Sequence, residues 1–165
     1  MLSAMSGVPP PGKPTSRPRV SLEPATGGHV GVLLEWMRDF YAHEGIPFDP
    51  AASERVLREL RERPPLGRVL EIVSDGTPVG YAVLALGFSL EFGGRSAFLD
   101  ELFVEPAWRG RGVGTAALAL LQDVARELGA RSLALEVGLD NAGAERLYRR
   151  EGFTSNGRQL MTRRI

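Results

Sequence analysis

Cysteine is absent from the 165 residues, and histidine and lysine are scarce. Without cysteine the chain has no disulfide, no thiolate nucleophile and no cysteine-ligated metal. His29 and His43 stand at no metal-ligand spacing, so the sequence predicts no metal site. No apolar run approaches the roughly eighteen residues of a membrane span, and no signal-type apolar core is visible. We therefore expect a cytoplasmic protein without a membrane partner.

A net charge is absent as well, because 20 basic residues balance 20 acidic ones. Lys13 is the one lysine, so arginine carries nearly all of the positive charge. With no imbalance to steer the chain toward a polyanion, we expect no nucleic-acid partner. An apolar fraction of 43% is that of an ordinary globular protein.

The first residues differ in composition from the rest of the chain. Residues 1–18 are rich in proline, serine and glycine, and such a stretch buries too little apolar surface to offset its ordering entropy. We predict a flexible extension over residues 1–18. Residues 19–165 are long enough for a single domain with its own core.

Hydrophobic periodicity predicts alternating helices and strands over residues 19–165. The predicted strands are Arg19–Glu23, Arg68–Ser74, Val79–Leu90, Ala97–Val104 and Ser132–Val137, with a closing hairpin around Asn156-Gly157. The predicted helices are Gly28–His43, Ala51–Glu62, Val113–Leu128 and Ala142–Glu151. This order indicates a mixed α/β fold in which helices cover one twisted sheet.

Three glycines lie between the strand ending at Val104 and the helix beginning near Val113. Gly110, Gly112 and Gly114 let the backbone approach an anion closely. A helix N-terminus offers unpaired N–H groups and partial positive charge, and Arg109 and Arg111 add cationic donors. The pattern indicates a phosphate-binding turn, although an ordinary strand-to-helix turn would share the three glycines.

The flanking residues make that turn part of a longer pattern. The run Leu99-Asp-Glu-Leu-Phe-Val-Glu-Pro-Ala-Trp-Arg-Gly-Arg-Gly-Val-Gly114 resembles the signature of the GNAT superfamily of N-acetyltransferases, whose core is Arg/Gln-x-x-Gly-x-Gly/Ala. Asn141-Ala-Gly-Ala-Glu-Arg-Leu-Tyr-Arg-Arg-Glu-Gly-Phe153 is similar to the family's second motif, Asn-x-x-Ala-x-x-x-Tyr-x-x-x-Gly-Phe. The resemblance implies the acyl-CoA N-acyltransferase fold, with about seven strands in a mixed sheet and about four helices.

The same resemblance implies a site for acetyl-CoA as co-substrate. The backbone of Leu102, Phe103 and Val104 would pair with the pantetheine arm, and an N–H near Leu102 or Phe103 would stabilise the oxyanion. Asn141 is a helix N-cap by its position, and the resemblance adds a cofactor contact. The residues implied to cradle the pyrophosphate are Arg109, Gly110, Arg111, Gly112, Val113, Gly114 and Thr115.

Three residues are candidates for proton transfer. The resemblance makes Tyr148 the acid that reprotonates the departing thiolate of CoA. Asp100 and Glu101 are candidates for the base that deprotonates the amine, in a run similar to spermidine/spermine acetyltransferases. Strict alternation would put these two acids on opposite faces, unless a β-bulge re-aims one of them.

Acceptor specificity in this family is set by the first two helices and the hairpin between the third and fourth strands. Acidic and aromatic side chains in these segments would suit a cationic amine, unless the acids are merely solvated. His43 could be a second base, but a surface position explains it equally. The acidic and aromatic candidates are Asp39, Glu44, Glu91, Tyr41 and Phe92.

The sequence therefore predicts transfer of acetyl from acetyl-CoA to a primary amine of a small molecule, by direct attack in a ternary complex. The alternatives are a protein or peptide acceptor, and a non-catalytic module that binds acyl-CoA. The resemblance is also compatible with a homodimer.

Overall fold

A computed structural model describes residues 18–163 and residue 165. The chain divides into two compact units between Leu135 and Glu136. Except for Pro18, the predicted extension over residues 1–18 lies outside the described residues. The single domain predicted for residues 19–165 stays a prediction.

The first unit is built on one mixed sheet whose strands lie side by side in chain order. The first four strands pair antiparallel, and the fifth pairs parallel with the fourth. Parallel pairing needs a long crossover, which a helix supplies here. The strands are β1 (Val20–Pro24), β2 (Gly67–Ser74), β3 (Thr77–Ser89), β4 (Gly94–Val104) and β5 (Leu133–Leu135).

Three helices of this unit pack on the two faces of the sheet: α1 (Val30–Glu44), α2 (Pro50–Glu62) and α3 (Val113–Glu127). Apolar residues of α1 and α2 form one buried cluster with Phe103, while Val113 of α3 packs in another with Val104. Because neighbouring residues of a strand point to opposite faces, α1 and α2 cover one face and α3 the other.

A tight connection joins α1 to α2. Gly45 adopts a left-handed conformation, and its amide and that of Ile46 donate to the last carbonyls of α1, at Ala42 and Tyr41. Asp49 then caps α2 by accepting a hydrogen bond from the Ala52 amide at 3.0 Å. These two caps fix the end of α1 beside the start of α2.

The second unit contains the helix α4 (Ala142–Arg150). As predicted, Asn141 caps α4, because its side chain accepts a hydrogen bond from the Ala144 amide at 3.1 Å. The predicted closing hairpin is wrong, since residues 153–163 contain no strand. Asn156 instead accepts a bond from the Arg158 amide, and Leu160 is exposed, so no apolar face drives strand pairing.

The mixed sheet and the four helices of the predicted fold are confirmed within the described residues. The sheet there has five strands instead of about seven. The strand predicted over Ser132–Val137 is limited to the three residues of β5. None of the described helices is long and apolar enough to cross a membrane.

Candidate active site

A β-bulge in β4 re-aims the two acids that the sequence singled out. Glu101 pairs with Val83 of β3 and Leu99 with Leu84, which leaves Asp100 as the extra residue between them. A bulge of this kind bends the strand and changes the direction of the side chains beside it. Asp100 and Glu101 consequently line the same cavity, whereas strict alternation would have separated them.

Glu101 is buried, with 7% of its surface exposed, and is held by two tyrosines. The hydroxyl of Tyr81 donates to Oε2 at 2.6 Å, and that of Tyr41 donates to Oε1 at 2.7 Å. Burial raises the pKa of Glu101, the two hydrogen bonds lower it in part, and the charge of Asp100 raises it further. The carboxylate is therefore fixed in position but harder to ionise than a solvated one.

Asp100 is in a different environment. Its surface is exposed, and among the described residues no donor lies within hydrogen-bond distance of its carboxylate. Burial of part of the side chain raises its pKa above the usual range. A carboxylate with a raised pKa and free lone pairs is suited to accept a proton.

The cavity that these acids line, which we name the β4 cavity, has a volume of about 260 Å³. It lies between the sheet, the C-terminal half of α1 and the length of α2. A third carboxylate, Asp49, also lines it, together with the hydroxyl side chains of Tyr41 and Ser53. The remaining lining residues are apolar: Met37, Pro47, Ala52, Val56, Leu57, Leu60 and Val83.

The edge of β4 that faces away from β3 is only partly paired. β5 pairs with Ala97 to Leu99 of β4, and the pairing extends no further along β4. The Glu105 amide donates to Val79 of β3 at 2.9 Å. Since backbone amides alternate in direction along a strand, those of Leu102 and Val104 point away from β3, and that of Phe103 points toward it.

This geometry distinguishes between the two amides that the sequence left open. An N–H that contacts a ligand at this edge must come from Leu102 or Val104, not from Phe103. The side chain of Phe103 is buried against α1, and that of Val104 packs against α3. Only their main chain is available for the ligand contacts that the resemblance implies.

The glycine turn begins α3 without a side-chain cap among the described residues. Gly110 and Gly112 have φ angles of 71° and 87°, which favour glycine. The first intrahelical hydrogen bond is donated by the Ala116 amide to Gly112, so the amides of Val113 to Thr115 precede it. The turn therefore leaves these amides outside the hydrogen bonding of the helix, and their contact with a phosphate stays a prediction.

The two arginines of the turn differ in placement. Arg109 folds back onto β4, where its Nε donates to the Val104 carbonyl at 2.7 Å and its guanidinium lies 5.5 Å from the Phe103 ring centroid. Arg111 stacks on Trp108, at 5.5 Å from the ring centroid. Arg109 therefore orders the end of β4, and its predicted contact with a phosphate stays a prediction.

In the second unit, Tyr148 lies on α4 two turns after Asn141, and its ring centroid is 5.9 Å from that of Phe153. The role of Tyr148 as the acid that protonates the thiolate stays a prediction, as does the cofactor contact of Asn141.

Several predicted acceptor residues do not line the β4 cavity. Of that group only Tyr41 does so, and Asp39, His43, Glu44, Glu91 and Phe92 are exposed elsewhere. The sequence interpretation missed Asp49 and Tyr81. The position of Asp49 directly before Pro50 is a sequence signal for a helix cap. Tyr81 lies in an apolar strand, where a buried hydroxyl requires a hydrogen-bond partner.

Comparisons with known proteins agree with this geometry. The model of the Acetyltransferase (GNAT) family matches residues 32–153. A solved integron cassette protein from the mobile metagenome of Cole Harbour Salt Marsh is 38% identical, with a TM-score of 0.76 over 87% of this chain and 90% of its own. This likeness confirms the predicted fold class.

Two curated relatives have named activities. Thialysine N-epsilon-acetyltransferase of Bos taurus is 31% identical over 81% of this chain and 83% of its own length. Aminoglycoside N(6')-acetyltransferase type 1 of Stenotrophomonas maltophilia is 34% identical over 57% of this chain, which spans 63% of that relative. By the family match and these similarities, the chain belongs to the GNAT family of acetyltransferases, as the turn at Arg109–Gly114 and the segment Asn141–Phe153 predict.

Proposed function

We propose that this chain transfers the acetyl group of acetyl-CoA to a primary amine of a small molecule by direct attack in a ternary complex. The observation that carries the proposal is the convergence of Asp100 and Glu101 on one cavity beside the open edge of β4. The edge and the turn before α3 suit the donor, and the cavity suits a cationic acceptor. The names of the bovine and bacterial relatives, which specify amine-bearing acceptors, support the same assignment.

The two acids divide the work on the acceptor. Glu101, fixed by Tyr41 and Tyr81, attracts the ammonium group and orients it. Asp100 takes one proton from the ammonium, directly or through a water, because its carboxylate is exposed and its pKa is raised above the usual range. The freed nitrogen lone pair then forms the C–N bond at the thioester carbonyl.

The remaining groups act on the donor. The outward amide of Leu102 donates to the oxyanion of the tetrahedral intermediate. The second amine proton passes to solvent, and collapse of the intermediate breaks the C–S bond. The departing thiolate takes a proton from the Tyr148 hydroxyl, which solvent then restores. The amides of Gly112 to Thr115 and the side chain of Arg111 hold the pyrophosphate.

The direct test is release of free thiol from acetyl-CoA in the presence of primary amines of several classes, namely polyamines, aminoglycosides, amino acids and peptides. We expect at least one small-molecule amine to be acetylated in preference to peptides. If no amine is acetylated while acetyl-CoA still raises the melting temperature, the chain is a binding module and the proposal is wrong.

Tyr148→Phe tests the proposed acid. It removes one hydroxyl and keeps the ring that contacts Phe153. We expect kcat to fall by roughly 10²-fold or more with acetyl-CoA binding unchanged by calorimetry. Unchanged turnover would show that another group protonates the thiolate.

A further inference from the structure

We propose that the β4 cavity selects a primary amine with an apolar body and rejects amines that carry a carboxylate or another anionic group next to the nitrogen. This inference rests on the proposed function, and it names the class of amine that the same site accepts. It follows from the charge and the polarity of the lining residues.

The charge of the cavity is of one sign. Asp49, Asp100 and Glu101 line it, and none of the described residues that line it is basic. An ammonium group therefore meets carboxylates, while a carboxylate on the same acceptor would meet like charge. It would also lose its hydration without gaining a counter-ion. Repulsion of this kind is how binding sites exclude close analogues.

The N-terminus of α2 is the other feature that could hold an anion, and it is already neutralised. Pro50 occupies the first helical position and offers no N–H. The Ala52 amide donates to the Asp49 side chain at 3.0 Å. The charge of Asp49 offsets the partial positive charge of the helix end.

The walls of the cavity favour an apolar body. Apolar side chains make up much of the lining, among them Met37, Val56, Leu57, Leu60 and Val83. Apolar carbon that contacts these side chains leaves water, which stabilises the complex in proportion to the area buried. Sugar hydroxyls that contact these apolar side chains would find no partners among them and would lose their hydrogen bonds to water. The volume of about 260 Å³ suits the body of a small molecule.

Phenethylamine and phenylalanine form a matched pair for the test, because they differ only in the carboxylate next to the amine. With saturating acetyl-CoA and thiol release as the readout, we expect kcat/KM for phenethylamine to exceed that for phenylalanine by roughly tenfold or more. Equal values for the two amines would overturn the inference and leave the proposed function standing.

Val56→Arg tests whether the charge of the cavity is responsible. Val56 lines the cavity and is 62% exposed, so an arginine can be accommodated there and would place a cation near the acids. We expect the preference for phenethylamine to fall by roughly tenfold. Val32→Arg is the matched control, because Val32 is 43% exposed on α1 and does not line the cavity. It should leave the preference unchanged.

Four further outcomes contradict the inference. An unchanged preference in Val56→Arg would show that the acids do not set it, and a shift of equal size in Val32→Arg would show a general effect of charge. Acetylation of aminoglycosides or peptides but not of phenethylamine would overturn the apolar class alone. Failure of every amine tested would overturn the inference together with the proposed function.

Discussion

Asp100 and Glu101 follow one another in β4, yet the fold gives them different surroundings. Tyr41 donates to one carboxylate oxygen of Glu101 and Tyr81 to the other, while the carboxylate of Asp100 is exposed. Sequence alone identifies the acidic pair but not this division, because the bulge and the position of Tyr81 depend on pairing between distant strands. The proposed division can be tested by neutralising each acid separately.

We expect Asp100→Asn to lower kcat by about 10²- to 10⁴-fold, since it removes the proposed base. Glu101→Gln should instead raise KM for the amine more than it lowers kcat, since it removes charge that attracts the ammonium. Steady-state kinetics with a fixed excess of acetyl-CoA separate the two effects. Asp123→Asn, on the exposed surface of α3, is the control and should change neither constant. Normal turnover in Asp100→Asn would exclude the role of Asp100 as base.

Tyr81→Phe keeps a fully buried ring and removes one hydrogen bond to a buried carboxylate. We expect the free energy of unfolding to fall by about 1.5 to 3 kcal/mol, as for other hydrogen bonds to charged groups. The same loss raises the pKa of Glu101 further, because the bond from Tyr81 lowers it. Urea unfolding of Tyr81→Phe, Glu101→Gln and the double variant measures the coupling. Strict additivity would mean that the bond contributes nothing to stability.

At the scale of helices and strands, local pattern predicts most elements of the first unit. The Gly45 cap and the Asp75-Gly76 turn between β2 and β3 are local signals, and so is the Asp49 cap, which the sequence interpretation missed. The bulge at Asp100 and the shortness of β5 are not local, because they depend on which strand lies alongside. The sequence therefore singles out Asp100 and Glu101 but not the geometry that brings them to one cavity.

Gly112→Ala tests the turn as an element that binds the donor. Its φ of 87° strains an alanine by about 1 to 2 kcal/mol, and the new methyl group projects into open space at the turn proposed to hold the pyrophosphate. We expect Kd for CoA, measured by calorimetry, to rise by roughly tenfold or more. Gly129→Ala is matched, with a φ of 80°, open surroundings and a place at the other end of α3.

The two glycine variants should lose similar stability, but only Gly112→Ala should lose affinity for CoA. An equal loss of affinity in both would mean that strain in α3, and not the turn, controls binding.

At the scale of the whole molecule, the balanced net charge conceals a local excess. Three carboxylates share the β4 cavity, and burial raises the pKa of both Asp100 and Glu101. The stability of the chain therefore depends on pH in a way that composition does not predict. A group whose folded pKa is raised holds its proton longer in the folded state than in the unfolded state.

For Asp100 and Glu101 this linkage has a definite sign. Their contribution to the free energy of unfolding is fully present below the usual carboxyl pKa of about 4, and is lost as the pH rises through the raised folded value.

Asp100→Asn removes one of the two groups whose contribution to stability is lost as the pH rises. We therefore expect the variant to gain stability relative to wild type on going from about pH 4 to about pH 8, as measured by urea unfolding at both values. Asp123→Asn supplies the comparison, since it removes a carboxylate outside the cavity. The stability difference between Asp100→Asn and wild type could instead be the same at both pH values, or its change with pH could equal that of Asp123→Asn. Either result would show that Asp100 keeps an ordinary pKa and would weaken its assignment as the base.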